Sequence, residues 1–125
     1  MAGYRVLLVD DEEEFVSALS ERLTLRGIGV DSALNGEEAL ARLVAKDFEV
    51  VILDVMMPGL GGLEVLRQIK ATHPNTQVIL LTGHGSTREG IEGMRLGAFD
   101  YLIKPVDLED MLEKMKAAAK MAGTG

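Results

Sequence analysis

Short apolar runs alternate along this chain with stretches whose apolar residues are spaced three and four apart. Residues 4–9 (YRVLLV), 29–32, 50–53 (VVIL), 77–81 (QVILL) and 101–103 are short, bounded by turn-forming or charged residues, and read as five strands. Between them, sets such as Leu63, Leu66 and Ile69, or Leu108, Met111, Leu112 and Met115, form one-sided stripes that read as helices covering a sheet. Asn35 with Glu38 and Ser86 with Glu89 have the spacing of capping boxes, and Asp107 is placed to cap the last helix. Gly27 and Gly97 each follow a helical pattern and read as its stop. Strict alternation of strand and helix, with strands apolar throughout, implies an α/β domain whose parallel sheet is buried on both faces.

At 125 residues and 47% hydrophobic composition, the chain has the size and apolar content of one domain with one layered core. No apolar run approaches the roughly 20 residues that span a bilayer, and the first residues lack the basic-then-apolar pattern of a secretion signal, so a cytoplasmic domain with no membrane role is expected. The absence of cysteine excludes disulfides and thiolate metal sites. A formal charge of -7 argues against direct nucleic-acid binding by this domain, because that affinity comes from clustered Lys and Arg. The folded unit is expected over residues 1–121, with 122–125 as a frayed tail.

The chemistry lies where strands end. In an open parallel sheet, ligands sit beyond the carboxyl ends of the strands where the strand order reverses. Asp10, Asp11 and Glu12 follow the first strand, Asp54 the third, Thr82 the fourth, and Lys104 and Pro105 the fifth. If the first and third strands are neighbours, three aspartates converge, and two bare carboxylates about 4 Å apart repel by about 4 kcal/mol at an effective dielectric near 20. Lys104 supplies one positive charge and a hard divalent cation such as Mg²⁺, which favours carboxylate oxygens, would neutralise the rest. Taken singly each residue has a plainer reading: Glu12 to Glu14 as helix N-cap and first-turn acids, Thr82 as a turn residue, Lys104 as a solvated charge.

Four stretches, VLLVDDE at 6–12, VVILDVMMPG at 50–59, VILLTGHG at 78–85 and GAFDYLIKP at 97–105, together resemble the receiver domain of two-component response regulators over essentially the whole chain, with TGHG and GAFDYLIKP nearest the nitrogen-regulation type. The resemblance implies a flavodoxin-like (βα)5 three-layer sandwich with a five-stranded parallel sheet of order 2-1-3-4-5. It implies that Asp54 accepts a phosphoryl group from a sensor histidine kinase or phosphotransfer protein, with Mg²⁺ as cofactor. Asp10, Asp11, Asp54 and the Met56 carbonyl would be the metal ligands; Thr82 and Lys104 would contact the phosphoryl oxygens. The Lys104-Pro105 peptide would be cis. Thr82 and Tyr101 would carry the switch to the fourth helix, fifth strand and fifth helix, a surface that controls a downstream effector or output domain and allows a phosphorylation-dependent homodimer. Such a domain is not an enzyme beyond its own phosphorylation and dephosphorylation.

Three departures qualify the picture. Gly61 stands where the family commonly has a capping Asp. Gly90 and Gly93 fall inside the fourth helix (residues 86–96), where each costs about 1 kcal/mol relative to Ala unless close packing requires it. Met56 and His84 occupy positions that in receivers tune phosphate loss, and an apolar Met56 gives an attacking water no polar partner, so a long-lived phosphoryl state is expected. His73, before Pro74, reads as a loop histidine; Met111 and Met115 read as core filler. Haloacid-dehalogenase-like phosphatases usually have a second Asp where this chain has Met56, phosphorylation-independent receivers commonly lose an acid or the Lys, and flavodoxin-type carriers want a glycine-rich phosphate loop where DDEEE stands.

Overall fold

A computed structural model describes residues 3–83 and 87–124. The elements are β1 (Arg5–Val9), α1 (Glu13–Leu25), β2 (Gly29–Ala33), α2 (Gly36–Ala45), β3 (Val50–Asp54), α3 (Gly62–Thr72), β4 (Gln77–Thr82), α4 (Thr87–Arg95), β5 (Asp100–Ile103) and α5 (Leu108–Thr124). All strand pairs are parallel and the order is β2-β1-β3-β4-β5, the doubly wound arrangement that the alternation implies. Among the described residues no helix is long and apolar enough to cross a membrane.

Side chains alternate across the sheet with a period of two, so each central strand serves two cores. Leu7, Val9, Val51, Leu53, Val78 and Leu80 face one layer, where α2 and α3 add Ala39, Leu43, Val65, Leu66 and Ile69. Val6, Leu8, Val50, Ile52, Ile79 and Leu81 face the other, against Val16, Leu19 and Leu23 of α1 and Met111, Met115 and Ala118 of α5. Met111 and Met115 are thus core residues. Each fully buried aliphatic side chain contributes about 1.5–3 kcal/mol, which ties both helical layers to the central strands.

The helix ends follow local chemistry. Asn35 Oδ1 accepts the Glu38 N–H at 2.8 Å, while Glu38 Oε1 reaches back to the N–H of Leu34 at 2.7 Å, one residue earlier than a standard capping box. Gly27 (φ +80°) and Gly97 (φ +104°) end α1 and α4 in the left-handed region. The Met111 N–H donates to the Asp107 carbonyl at 3.0 Å, opening α5. The Ser86 cap, and His84, lie outside the described residues. At the other end, α5 runs past the boundary expected at residue 121 and continues to Thr124. The alanines of this segment favour helix, and Ala118 anchors it in the core. His73 caps α3 and ties it to α2: its Nε2 lies 3.1 Å from the Leu43 carbonyl oxygen and its Nδ1 2.8 Å from Thr72 Oγ1.

Gly93 answers the question its helix raised. A Cβ there would lie 2.0 Å from Leu80 Cδ1, so a bare backbone lets α4 sit down on β4. Gly90 lies under the Tyr101 ring, where a Cβ would meet ring carbons at 3.4 Å. Close packing therefore accounts for Gly93, whereas at Gly90 a Cβ would make only ordinary contact with the ring.

Candidate functional site

Because β1 and β3 are adjacent and in register at Val9 and Leu53, the next residues, Asp10 and Asp54, emerge side by side at the carboxyl edge of the sheet. Thr82 ends β4 opposite Ile103 of β5, which delivers Lys104 to the same edge. The reversal of strand order thus gathers side chains from four strands. Asp10 (0% exposed), Asp54 (6%) and Thr82 (1%) are buried, whereas Asp11 is exposed.

Lys104 is the hub. Its Nζ donates to Asp10 Oδ2 and to Glu12 Oε1, both at 2.7 Å, stands 3.6 Å from Asp54 Oδ2, and lies 4.8 Å above the centre of the Phe15 ring. The distance to Asp54 is that of an ion pair and too long for a hydrogen bond. The Lys104-Pro105 peptide is cis. Burial works against the Lys104 charge, but the hydrogen bonds it donates to Asp10 and Glu12 and the charges of Asp54 and Asp10 outweigh it and hold the ammonium above its usual range. For Asp54 the balance falls the other way. Burial pushes its carboxyl up to about 6; the Met56 N–H, which donates to Asp54 Oδ1 at 3.1 Å, and the Lys104 charge oppose this, while the neighbouring Asp10 adds to it. The ionised site is therefore short of positive charge.

That shortage, and the oxygen donors, suit a hard cation. Carboxylate oxygens of Asp10, Asp11 and Asp54 lie within 4.8 Å of one another, so that a small contraction, to about 4.2 Å or less, would put them on one Mg²⁺ ion at metal–oxygen distances of about 2.1 Å. Three carboxylates, one ammonium and one divalent cation balance to zero charge.

The structure brings Asp10, Asp11, Asp54 and Lys104 together at one edge with Thr82, whose Oγ1 donates to the Leu102 carbonyl at 3.4 Å. Met56 keeps its backbone N–H on Asp54, and its side chain is 65% exposed. Tyr101 is half-buried, with its ring over Gly90 of α4.

Three residues of this neighbourhood escaped sequence reasoning. Glu12 stands at the N-cap position of α1 but makes no side-chain cap bond, because its carboxylate goes to Lys104. Phe15, one of several core-facing residues by its spacing, lends a ring face to the same ammonium. Gly62 lets the start of α3 pass over the end of β3: a Cβ there would lie 2.5 Å from the Asp54 carbonyl oxygen and 2.6 Å from Val55 Cα. The doubled glycine at 61–62 is the available signal, of which the sequence reading takes up Gly61 alone, as a missing cap.

The model of the response regulator receiver domain matches residues 6–116. The transcriptional regulatory protein YkoG of Bacillus subtilis is 40% identical over 119 residues, covering 95% of this chain and 52% of the relative. The response regulator MprA of Mycolicibacterium vanbaalenii is 41% identical over 113 residues, covering 90% of this chain and 49% of the relative. A crystal structure of a receiver domain protein from Clostridium thermocellum superposes with a TM-score of 0.89 at 35% identity, covering 94% of each chain. The chain spans about half the length of the curated relatives it matches. An acidic pocket on a 2-1-3-4-5 parallel sheet, joined to a family match across nearly every element, makes this chain a member of the receiver domains of two-component response regulators.

Proposed function

We propose that the chain is a phosphorylation-controlled signalling switch in which Asp54 takes a phosphoryl group from the phosphohistidine of a sensor histidine kinase or phosphotransfer protein, with Mg²⁺ held by Asp10, Asp11, Asp54 and the Met56 carbonyl. The observation that carries this reading is the buried Asp54 carboxylate, 3.6 Å from the Lys104 ammonium and within reach of two further aspartates. The Asp54 oxygen attacks phosphorus in line, the phosphorus–nitrogen bond breaks, and an acyl phosphate forms while the imidazole leaves with a proton. In such transfers the protein chiefly positions groups and neutralises charge. Bound Mg²⁺ would supply charge neutralisation and orientation of the phosphoryl oxygens. Phosphorylation replaces one carboxylate charge by about -2, and Lys104 and the Thr82 hydroxyl, at the same edge of the sheet, are the side chains that would answer it.

The outward step follows from Thr82. Its hydroxyl is spent on the Leu102 carbonyl through a long bond, so redirecting it to a phosphoryl oxygen costs little. The change would pass along β5 to Tyr101, whose ring packs on Gly90, and so to the surface of α4, β5 and α5. Exposed Ile91, Met94 and Ile103 give that surface an apolar component for an effector or output domain or a second copy.

The test is intact mass after incubation with acetyl phosphate, with and without Mg²⁺, for wild type and Asp54→Asn. Wild type is expected to gain one phosphoryl group only with Mg²⁺, and Asp54→Asn none. A wild type that gains nothing and also fails to bind beryllofluoride would make this a constitutive binding module.

A further inference from the structure

Lys104 is committed before any phosphoryl group arrives. An ammonium has three N–H donors, and two of them are used at 2.7 Å on Asp10 and Glu12, while Asp54 waits at 3.6 Å. To bond a phosphoryl oxygen on Asp54, Lys104 has to turn away from one of its present partners. Asp10 is fully buried, and stripping its carboxylate of the ammonium without replacement would leave an unpaired charge in the interior. Glu12 is different. Its side chain is 64% exposed, so once released it is solvated at little cost. It sits at the N-cap of α1 yet makes no cap bond, so its carboxylate has no second structural duty there. The Phe15 ring, 4.8 Å from the ammonium, is a contact that does not depend on Glu12 and so favours keeping Lys104 at the site once Glu12 lets go.

We infer that Glu12 is a latch on Lys104: it holds the ammonium in the unphosphorylated arrangement, competes with the phosphoryl group for it, and thereby sets how readily the switch turns on. Glu12 is a positioning residue, acting only through Lys104. The inference rests on the phosphoacceptor reading above.

The experiment measures beryllofluoride affinity in the presence of Mg²⁺ by calorimetry, for wild type, Glu12→Gln and Glu13→Gln. Glu13 is the neighbouring exposed acid in the first turn of α1, outside the set of Lys104 partners, so its substitution removes the same charge without touching the latch. Glu12→Gln is expected to bind about 2- to 5-fold more tightly than wild type, the factor an exposed ion pair is worth. Glu13→Gln is expected to stay near wild type. Because an exposed pair is screened when the Debye length shrinks, the gap between Glu12→Gln and wild type should narrow as salt rises from about 0.05 to about 0.5 M, a response that a purely structural role would not produce. Equal affinities for Glu12→Gln and wild type, or equal gains in both variants, would overturn the latch while leaving Asp54 as phosphoacceptor. Failure of wild type to bind at all would overturn both.

Discussion

Asp54→Asn should stabilise the metal-free protein, and by an amount that depends on pH. The substitution keeps the shape of the side chain and an oxygen for the Met56 N–H, but removes a negative charge that burial and Asp10 disfavour. The carboxyl is raised from 3.8 to about 6 in the folded protein, a difference of about two units that corresponds to about 3 kcal/mol as an upper figure. With relaxation of the pocket and partial hydration of the aspartate, about 1–3 kcal/mol is expected. A carboxyl with a raised folded value binds its proton more tightly folded than unfolded. Its cost is therefore absent below the unfolded value, grows as pH rises through about 4 to 6, and is complete above about 6. Urea denaturation of both proteins in EDTA from about pH 4.5 to 8 reads this directly, since carboxylates common to both cancel in the difference. The gain of Asp54→Asn should be about a third of its full size at the acid end and level off above about pH 6. Added Mg²⁺ should then favour wild type and shrink the gap, because a ligand that binds only the folded form stabilises it by mass action. A gain independent of pH, or a variant less stable than wild type at about pH 8, would refute the account of a charge-starved pocket.

Other expectations concern the loop that frames the pocket. Gly62→Ala should cost about 2 kcal/mol or more, because the clash at 2.5 Å is with the backbone of Asp54 and no side chain there can yield; the same variant should slow phosphoryl uptake from acetyl phosphate. Gly61→Asp should instead stabilise by about 0.5–1 kcal/mol in a thermal or urea melt, since the N-cap has φ -70°, nothing lies within 4 Å of a new Cβ, and a cap side chain is gained as backbone freedom is lost in the unfolded chain. Met56→Asn should shorten the phosphoryl lifetime followed by radiolabel loss, as an exposed apolar side chain is replaced by one that can hold a water; an unchanged lifetime would remove Met56 from that role.

Much of the fold was legible because its signals are local. The short, wholly apolar runs such as Val6 to Val9, the helical stripes, the Asn35 cap and the Gly27 and Gly97 stops each depend on residues a few positions apart, and a short stretch carries them whole. Asp10, Asp54, Thr82 and Lys104 were legible for a related reason: each ends a strand, and a parallel sheet sends all such ends to one edge. The end of α5 was less so, because whether the alanines beyond Lys116 stay helical depends on what Ala118 packs against.

What the sequence could not decide is which of those ends touch. Sequence pattern by itself determined that acids and a lysine meet at one edge; only the tertiary structure decided that Glu12 joins Asp10 in holding the Lys104 ammonium at 2.7 Å, closer than Asp54 at 3.6 Å, across 92 residues of chain. Equally, only the packing of α3 against β3 and of α4 against β4 decided that Gly62 and Gly93 have no room for a Cβ. Periodicity is a property of neighbours in sequence. Distances of a few ångströms between elements are set by the sum of all core contacts, and it is at those distances that charge competition and backbone contact act.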